Sequence, residues 1–364
     1  MASDMQTYLI NQIKKQGPMT LGNFIERAMT HPQLGYYASE STHPIGKKGD
    51  FITAPEVSQM FGEMIGAWII DVWEQMGGDE ITLIECGPGR GTLMADIMRV
   101  FKAMPALTQK VHIRFIETSK SLQEAQKNAV QEYIDLKRVS WGESLSEQKG
   151  PCIIIGNEFL DALPIEQVIR KNGKWYQRTV DFAPEEDRFF SYGEQAMDLE
   201  LIQYLPPHVK DNEIYEISPA RNKFIKDCLR IINNDSGVAL FIDYGHDKTH
   251  CGDTLQAVRK HEYTDVLGDV GKSDITSHID FESLCEVIKK HDTHCEPVTT
   301  QRYFLRKLGI EHRAQTLKAS AKDRNNDINS DLDRLVGRKQ MGDLFKVLCF
   351  YSKKSASAVK PNGF

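Results

Sequence analysis

The chain has 364 residues, 40% hydrophobic and 26% charged, a composition that supports one or two globular domains and excludes a disordered or collagen-like class. Lysine and arginine number 45 against 51 aspartates and glutamates, for a net charge of −6, which disfavours a protein that grips nucleic acid by neutralising phosphates. No apolar run nears the roughly 20 residues of a membrane span. The start, Met1 to Thr7, lacks signal- and transit-peptide character, and the 7 cysteines include no C-x-x-C pair, so a soluble cytoplasmic chain without a disulfide framework is expected.

In chain order, Thr20 to Met29 reads as a short helix, with Leu21, Phe24, Ile25, Ala28 and Met29 on one face. Ser39 to Phe51, rich in glycine, proline and lysine, reads as a flexible loop. Pro55 suits a first helical position, and the apolar stripe from Val57 to Trp73 recurs at helical spacing until Gly77-Gly78. Strands and helices then alternate. Strands are predicted at Ile81 to Cys86, Val111 to Ile116, Arg138 to Ser140, Cys152 to Gly156 and Val238 to Ile242, with helices around Leu93 to Met104 and Ser121 to Tyr133. This alternation implies an α/β fold with a mostly parallel sheet and helices on both faces. A hairpin interrupts it, Ile165 to Arg170 and Trp175 to Val180 about Asn172-Gly173. His246 to Glu296 reads as a polar, irregular insertion, followed by strands at Val298 to Arg302 and Phe345 to Tyr351 and a frayed tail from Ser352. Insertions at the carboxyl ends of parallel strands build the substrate side of such folds.

The most informative segment is Glu85-Cys-Gly-Pro-Gly-Arg-Gly91, set between a strand and a helix. Its glycines permit a tight turn and close approach of backbone to ligand, and the helix start offers unpaired N–H groups. The spacing Gly87, Gly89, Gly91 is not the G-x-G-x-x-G of dinucleotide enzymes and is similar to motif I of class I methyltransferases that use S-adenosylmethionine. Glu117 closes the second strand, where a carboxylate can accept both ribose hydroxyls of a nucleoside. The fourth strand ends in Asn157-Glu-Phe-Leu-Asp161-Ala-Leu-Pro164 rather than the Asn-Pro-Pro-Tyr of base-methylating enzymes. The carboxylates of Glu158 and Asp161 suit a cationic acceptor such as guanidinium, while simple strand-end caps are the bland alternative.

These residues resemble the MidA-like family of S-adenosylmethionine-dependent methyltransferases, the family of mitochondrial complex I assembly factor 7. The shared motifs are Gly49-Asp-Phe-Ile-Thr-Ala-Pro-Glu-Val-Ser-Gln-Met-Phe-Gly-Glu63, Glu85 to Gly91, Asn157 to Pro164, Asp243-Tyr-Gly-His246, Asp253-Thr-Leu-Gln-Ala-Val-Arg259, Asp274-Ile-Thr-Ser-His-Ile-Asp-Phe281 and Met341-Gly-Asp-Leu-Phe-Lys346. The resemblance implies a class I, Rossmann-like seven-stranded sheet binding S-adenosyl-L-methionine. It also implies methylation of a protein arginine, in a complex I subunit for the mitochondrial members. On it, residues 1–78 form an N-terminal helical segment covering the cofactor site and 79–162 the first part of the core. Residues 163–235 are an insertion, 236–246 a core strand, 247–296 a second insertion, 297–352 the last core strands and 353–364 a flexible tail. Carried over by position, Glu85, Gly87, Gly89, Gly91, Glu117 and Asn157 bind cofactor, with Thr53 and Glu56 near its polar end. Thr53 as a helix cap and Glu56 as a first-turn charge are equally good readings.

Glu158 and Asp161 are the candidate catalytic carboxylates, and His278, beside Asp280, the candidate proton acceptor or relay, with a histidine satisfied structurally by that acid an equally good reading. The histidines and cysteines of the second insertion fall into no zinc-ligand spacing, so no metal is expected. A cofactor-sensing assembly factor without turnover is the alternative from another functional class, and a nicotinamide oxidoreductase is disfavoured by the glycine spacing.

Overall fold

The computed structural model describes residues 3–37, 52–146, 148–183, 189–206, 209–320, 322–356 and 359–364. They divide into two compact units: the described residues of Met1–Phe51, Asp161–Lys223 and Thr249–His278 make one, and Ile52–Leu160, Phe224–Lys248 and Ile279–Phe364 the other. The predicted loop between 39 and 51 lies outside the described residues.

The larger unit is built on β1 (Ile81–Cys86), β2 (Val111–Ile116), β3 (Val139–Gly142), β4 (Cys152–Asn157), β5 (Gly237–His246), β6 (Thr293–Cys295) and β7 (Phe345–Ser352). Their spatial order is β3-β2-β1-β4-β5-β7-β6. The pairs from β3 to β5 are parallel, whereas β7 is antiparallel to β5 and β6 antiparallel to β7, so the sheet is mixed. Strands β4 and β5 are buried almost throughout, as their apolar stretches Cys152–Ile155 and Val238–Ile242 require of central strands covered on both faces. Two-residue strands at Ile279–Asp280 and Thr299–Thr300 add to β5 and β7.

Helix Gln59–Gln75 packs closely on helix Thr92–Phe101. A Cβ at Gly62 would lie 2.5 Å from Cβ of Asp96, and one at Gly66 3.1 Å from Cβ of Val100, so small residues set the approach. The predicted stripe from Val57 to Trp73 is not one helix. Ser58 is extended (φ −159°, ψ 139°) and separates a short helix, Ala54–Val57, from Gln59–Gln75, which it caps through Met60 N–H.

Three further expectations are corrected in this unit. The strand predicted at Val298 to Arg302 stops at Thr300, whose hydroxyl accepts from Tyr303 N–H and starts helix Gln301–Lys307. The stretch read as irregular contains helix Phe281–Lys289, capped by Asp280 and burying Phe281, Leu284, Cys285 and Ile288. The end of the tail is packed: Val359 is buried, Trp68 Nε1 donates to Asn362 O at 3.1 Å, and the Phe364 ring meets Phe304 at 5.4 Å. One valine and one phenylalanine in an otherwise polar run suffice to anchor it.

The smaller unit holds helices Asp4–Gln16, with a Ser3/Gln6 capping box, and Leu21–Thr30, capped by Thr20. They share a core with antiparallel strands that include the predicted hairpin, Glu166–Lys171 and Lys174–Phe182, whose turn residues Asn172 and Gly173 are left-handed (φ 50° and 74°). A second sheet, with strands Glu262–Thr264, Gln256–Arg259 and Asp274–Thr276, occupies the supposedly irregular region. Its turn uses Lys260 and His261 at φ 52° and 66°, residues that carry no turn signature.

Candidate functional site

At the carboxyl end of β1, the chain turns through Gly87, Gly89 and Gly91, all left-handed at φ 63°, 52° and 82°. A Cβ at Gly87 would stand 2.7 Å from the Phe159 ring and one at Gly91 3.0 Å from Gln126 Cα, so glycine is needed at both. Gly91 is the N-cap of helix Thr92–Phe101 and offers no side chain to the first-turn amides.

Glu85 lies just before this loop and is 3% exposed. Burial pushes its carboxyl well above the ordinary carboxylate range, and its Oε2 has no hydrogen-bond partner among the described residues. Glu117 follows β2 and is held at both oxygens: Ser119 N–H donates to Oε1 at 2.8 Å and Gln126 Nε2 to Oε2 at 3.2 Å. Burial raises its pKa, and these donors oppose the shift.

Gln126 is a site residue that sequence reasoning missed. Fully buried on helix Lys120–Val130, it donates to Gly89 O at 2.7 Å as well as to Glu117, and its Oε1 accepts from Trp141 Nε1 at 2.9 Å. One amide therefore joins the glycine loop to the carboxylate after the neighbouring strand. A polar residue on the helix's buried face was the only available signal.

Across the loop, β4 ends in Asn157 and Glu158. Glu158 is left-handed (φ 52°), a strained conformation for a residue with a side chain. Its Oε1 accepts from Asn157 Nδ2 and from Ala54 N–H, each at 3.0 Å, tying the strand end to the short helix Ala54–Val57. Asn157 Oδ1 is buried without a partner among the described residues. The strained turn is fixed by Asp243, a second residue given no role from sequence. This fully buried carboxylate accepts from Phe159 and Leu160 N–H through Oδ2 (3.2 and 2.9 Å) and from Tyr244 N–H through Oδ1 (2.9 Å).

Thr53 is the N-cap of Ala54–Val57 but makes no side-chain cap bond. Glu56 Oε1 accepts from the hydroxyl of Thr92 at 2.6 Å, which joins that helix to the first residue after the glycine loop. Glu85, Gly87, Gly89, Gly91, Glu117, Asn157, Glu158, Thr53 and Glu56 thus all belong to the larger unit, whereas Asp161 and His278 belong to the smaller one. There, Arg221 donates to both their carbonyls, at 3.3 and 3.0 Å, and also to Ser277 O and Oγ. Asp280, expected beside His278, caps helix Phe281–Lys289 through Ser283 N–H at 3.0 Å. Among the described residues no group of three or more His, Cys, Asp or Glu is arranged to hold a metal ion, and no helix is long and apolar enough to cross a membrane.

A model of the family described as "Putative S-adenosyl-L-methionine-dependent methyltransferase" matches residues 64–299. The mitochondrial protein arginine methyltransferase NDUFAF7 of Mus musculus is 31% identical, over 94% of this chain and 83% of its own. Its homolog in Caenorhabditis elegans is 31% identical, over 96% and 86%. Among solved structures, a Burkholderia thailandensis protein crystallised with S-adenosyl-homocysteine superposes with a TM-score of 0.83 at 23% identity, covering 95% of this chain and 91% of that one. That likeness shows a methyltransferase-like α/β fold.

Proposed function

The chain belongs to this family of S-adenosyl-L-methionine-dependent methyltransferases, and from that premise we propose that it methylates an arginine guanidinium of a protein. The strand order β3-β2-β1-β4-β5-β7-β6 is read as that of the class I enzymes. The observation that carries the arginine reading is the name of relatives matched over nearly the whole chain, joined to an acidic strand end in place of a base-stacking one.

The residues present fit the cofactor. It carries an ammonium, ribose hydroxyls and an exocyclic amine, all donors. The larger unit offers buried acceptors at Glu85 Oε2 and Asn157 Oδ1, the carboxylate of Glu117, and a loop whose glycines leave room for close backbone approach. Glu117 is assigned the ribose hydroxyls, Asn157 and Glu85 the remaining donors, and Thr53 and Glu56 the placement of the short helix beside the loop. When bound, the cofactor supplies a methyl group on a sulfonium centre.

The protein's task is then alignment, which accounts for several kcal/mol in well-oriented reactions. Guanidinium stays protonated at neutral pH, and a carboxylate localises its charge and fixes its plane. Glu158 is given that part. Its Oε1 is already held by Asn157 and Ala54, so its position is set before an acceptor arrives. Asp161 and His278 lie in the other unit and are assigned no step.

By the same resemblance the acceptor is a subunit of a complex I-type respiratory enzyme, in the bacterial cytoplasm or, for a processed eukaryotic form, the mitochondrial matrix. The test is transfer of labelled methyl from S-adenosylmethionine to a lysate of cells lacking this protein. Label in one protein band, lost with Glu117→Ala, supports the proposal. Cofactor binding without any transfer supports a sensor instead.

A further inference from the structure

Seven cysteines are present, and the methyl-transfer reading uses none of them. Four, Cys86, Cys152, Cys228 and Cys349, are fully buried in the larger unit, where burial raises their thiol pKa values. Cys251 is partly exposed, its pKa pushed up to about 11, with burial as the main cause and Glu213 adding to it. Cys285 and Cys295 differ. Cys285 lies on the buried face of helix Phe281–Lys289, Cys295 ends the edge strand β6, and their sulfurs are 3.7 Å apart with the Cys295 thiol donating to Cys285.

We propose that Cys285 and Cys295 form a redox modification site, a dithiol that hydrogen peroxide converts to a reversible disulfide joining helix Phe281–Lys289 to β6. The chemistry balances with one peroxide. The Cys285 thiolate attacks one peroxide oxygen and breaks the O–O bond; the departing oxygen takes a proton and leaves as water, and Cys285 becomes a sulfenic acid. Cys295, giving up its proton, attacks that sulfur. The S–O bond breaks, a second water leaves, and the S–S bond forms. Two electrons pass from the thiols to the peroxide, and a dithiol reductant reverses the change.

Three features assign the roles. The hydrogen bond from Cys295 lowers the pKa of Cys285 and, with Lys289 one helical turn further on, outweighs the opposing effects of burial, Asp280 and Glu282, whereas the same bond raises that of Cys295. Cys285 is therefore the attacking thiolate and Cys295 the resolving partner. Cys285 is 8% exposed and Cys295 is partly exposed on an edge strand, so the pair lies near the surface rather than at the centre of the core. The resolving thiol is already in contact, so the sulfenic acid is trapped before further oxidation.

The test uses the full chain, folded and reduced, treated with about one equivalent of hydrogen peroxide. It is then alkylated and digested with trypsin without reduction. Cleavage after Lys289 and Lys290 separates the two cysteines, so a disulfide appears as peptide 273–289 linked to peptide 291–302. The expected result is that link, with five of the seven thiols still alkylated, its loss after dithiothreitol, and its absence in both Cys285→Ser and Cys295→Ser. In the Cys295→Ser variant, a dimedone adduct on Cys285 is expected to form at least tenfold faster than on Cys251. Seven free thiols after treatment, oxidation beyond the sulfenic state without a link, or a link from Cys295 to Cys349 would overturn the proposal. A variant that fails to fold leaves the wild-type link as the deciding observation.

Discussion

Replacing Gln126 with methionine removes a buried amide, at little change in size, from the centre of the proposed cofactor site. The structure gives three losses: the donor to Gly89 O at 2.7 Å, the donor to Glu117 Oε2 at 3.2 Å and the acceptor for Trp141 Nε1 at 2.9 Å. A net hydrogen bond contributes about 1 kcal/mol, and one to a carboxylate more, so destabilisation of about 3–4 kcal/mol follows. For a chain of this size that lowers Tm by roughly 4–5 °C. The effect on binding is separate. Without Gln126, the glycine loop and Glu117 lose their common support, and cofactor affinity should fall about 10- to 100-fold, or about 1.4–2.8 kcal/mol. Calorimetric titration with S-adenosyl-homocysteine at a temperature well below the lowered Tm separates the two effects. Wild-type affinity in a variant shown to be folded would refute the argument that one buried amide aligns both halves of the site.

The remaining predictions concern the acceptor end and the support behind it. Glu158→Gln keeps the shape and one acceptor oxygen for Ala54 and Asn157 but removes the charge. Methyl transfer should fall about 100-fold, near 2.7 kcal/mol, with cofactor affinity within threefold of wild type in calorimetry. Asp243→Ala frees the Phe159 and Leu160 amides and relaxes the left-handed Glu158. It should melt several degrees lower and transfer methyl groups more slowly than Glu158→Gln does, as a scanning melt and an initial-rate assay would show. Asp96, buried beside Arg99, has its pKa raised to about 7, with burial the main cause, opposed by Arg99 and aided by Glu63 and Glu56. An acid with a raised folded-state pKa favours the folded state while protonated, and that contribution is lost as pH rises from about 4 to about 7. Denaturant titrations should show Asp96→Asn lacking part of the wild-type decline over this interval, by up to a few kcal/mol.

Much of the larger unit was legible in the chain. Ile81–Cys86 and Cys152–Asn157 announce themselves as short, mainly apolar runs that each end in site residues, and the glycine spacing identified the loop and the cofactor class. What escaped depended on contacts distant in sequence or on unusual backbone. Lys260 and His261 make a left-handed hairpin turn without glycine or asparagine, so a three-stranded sheet read as irregular chain. Ser58 breaks a helix because its side chain caps the next one, a choice invisible while the apolar stripe continues in phase. Gln126 and Asp243 act through bonds to loops 37 and 84 residues away. Glu158 was singled out for its charge, but its strained backbone and its grip on Ala54 are tertiary facts.

The central claim is that this chain moves a methyl group from S-adenosylmethionine to an arginine side chain. It is tested most directly by isolating the protein labelled in a lysate of cells lacking this enzyme and locating the added mass by fragmentation. The account predicts one or two methyl groups on the guanidinium of a single arginine, added by wild-type protein and about 100-fold more slowly by Glu158→Gln. Methylation of a lysine, a chain terminus or a nucleic acid base at that wild-type rate would contradict it.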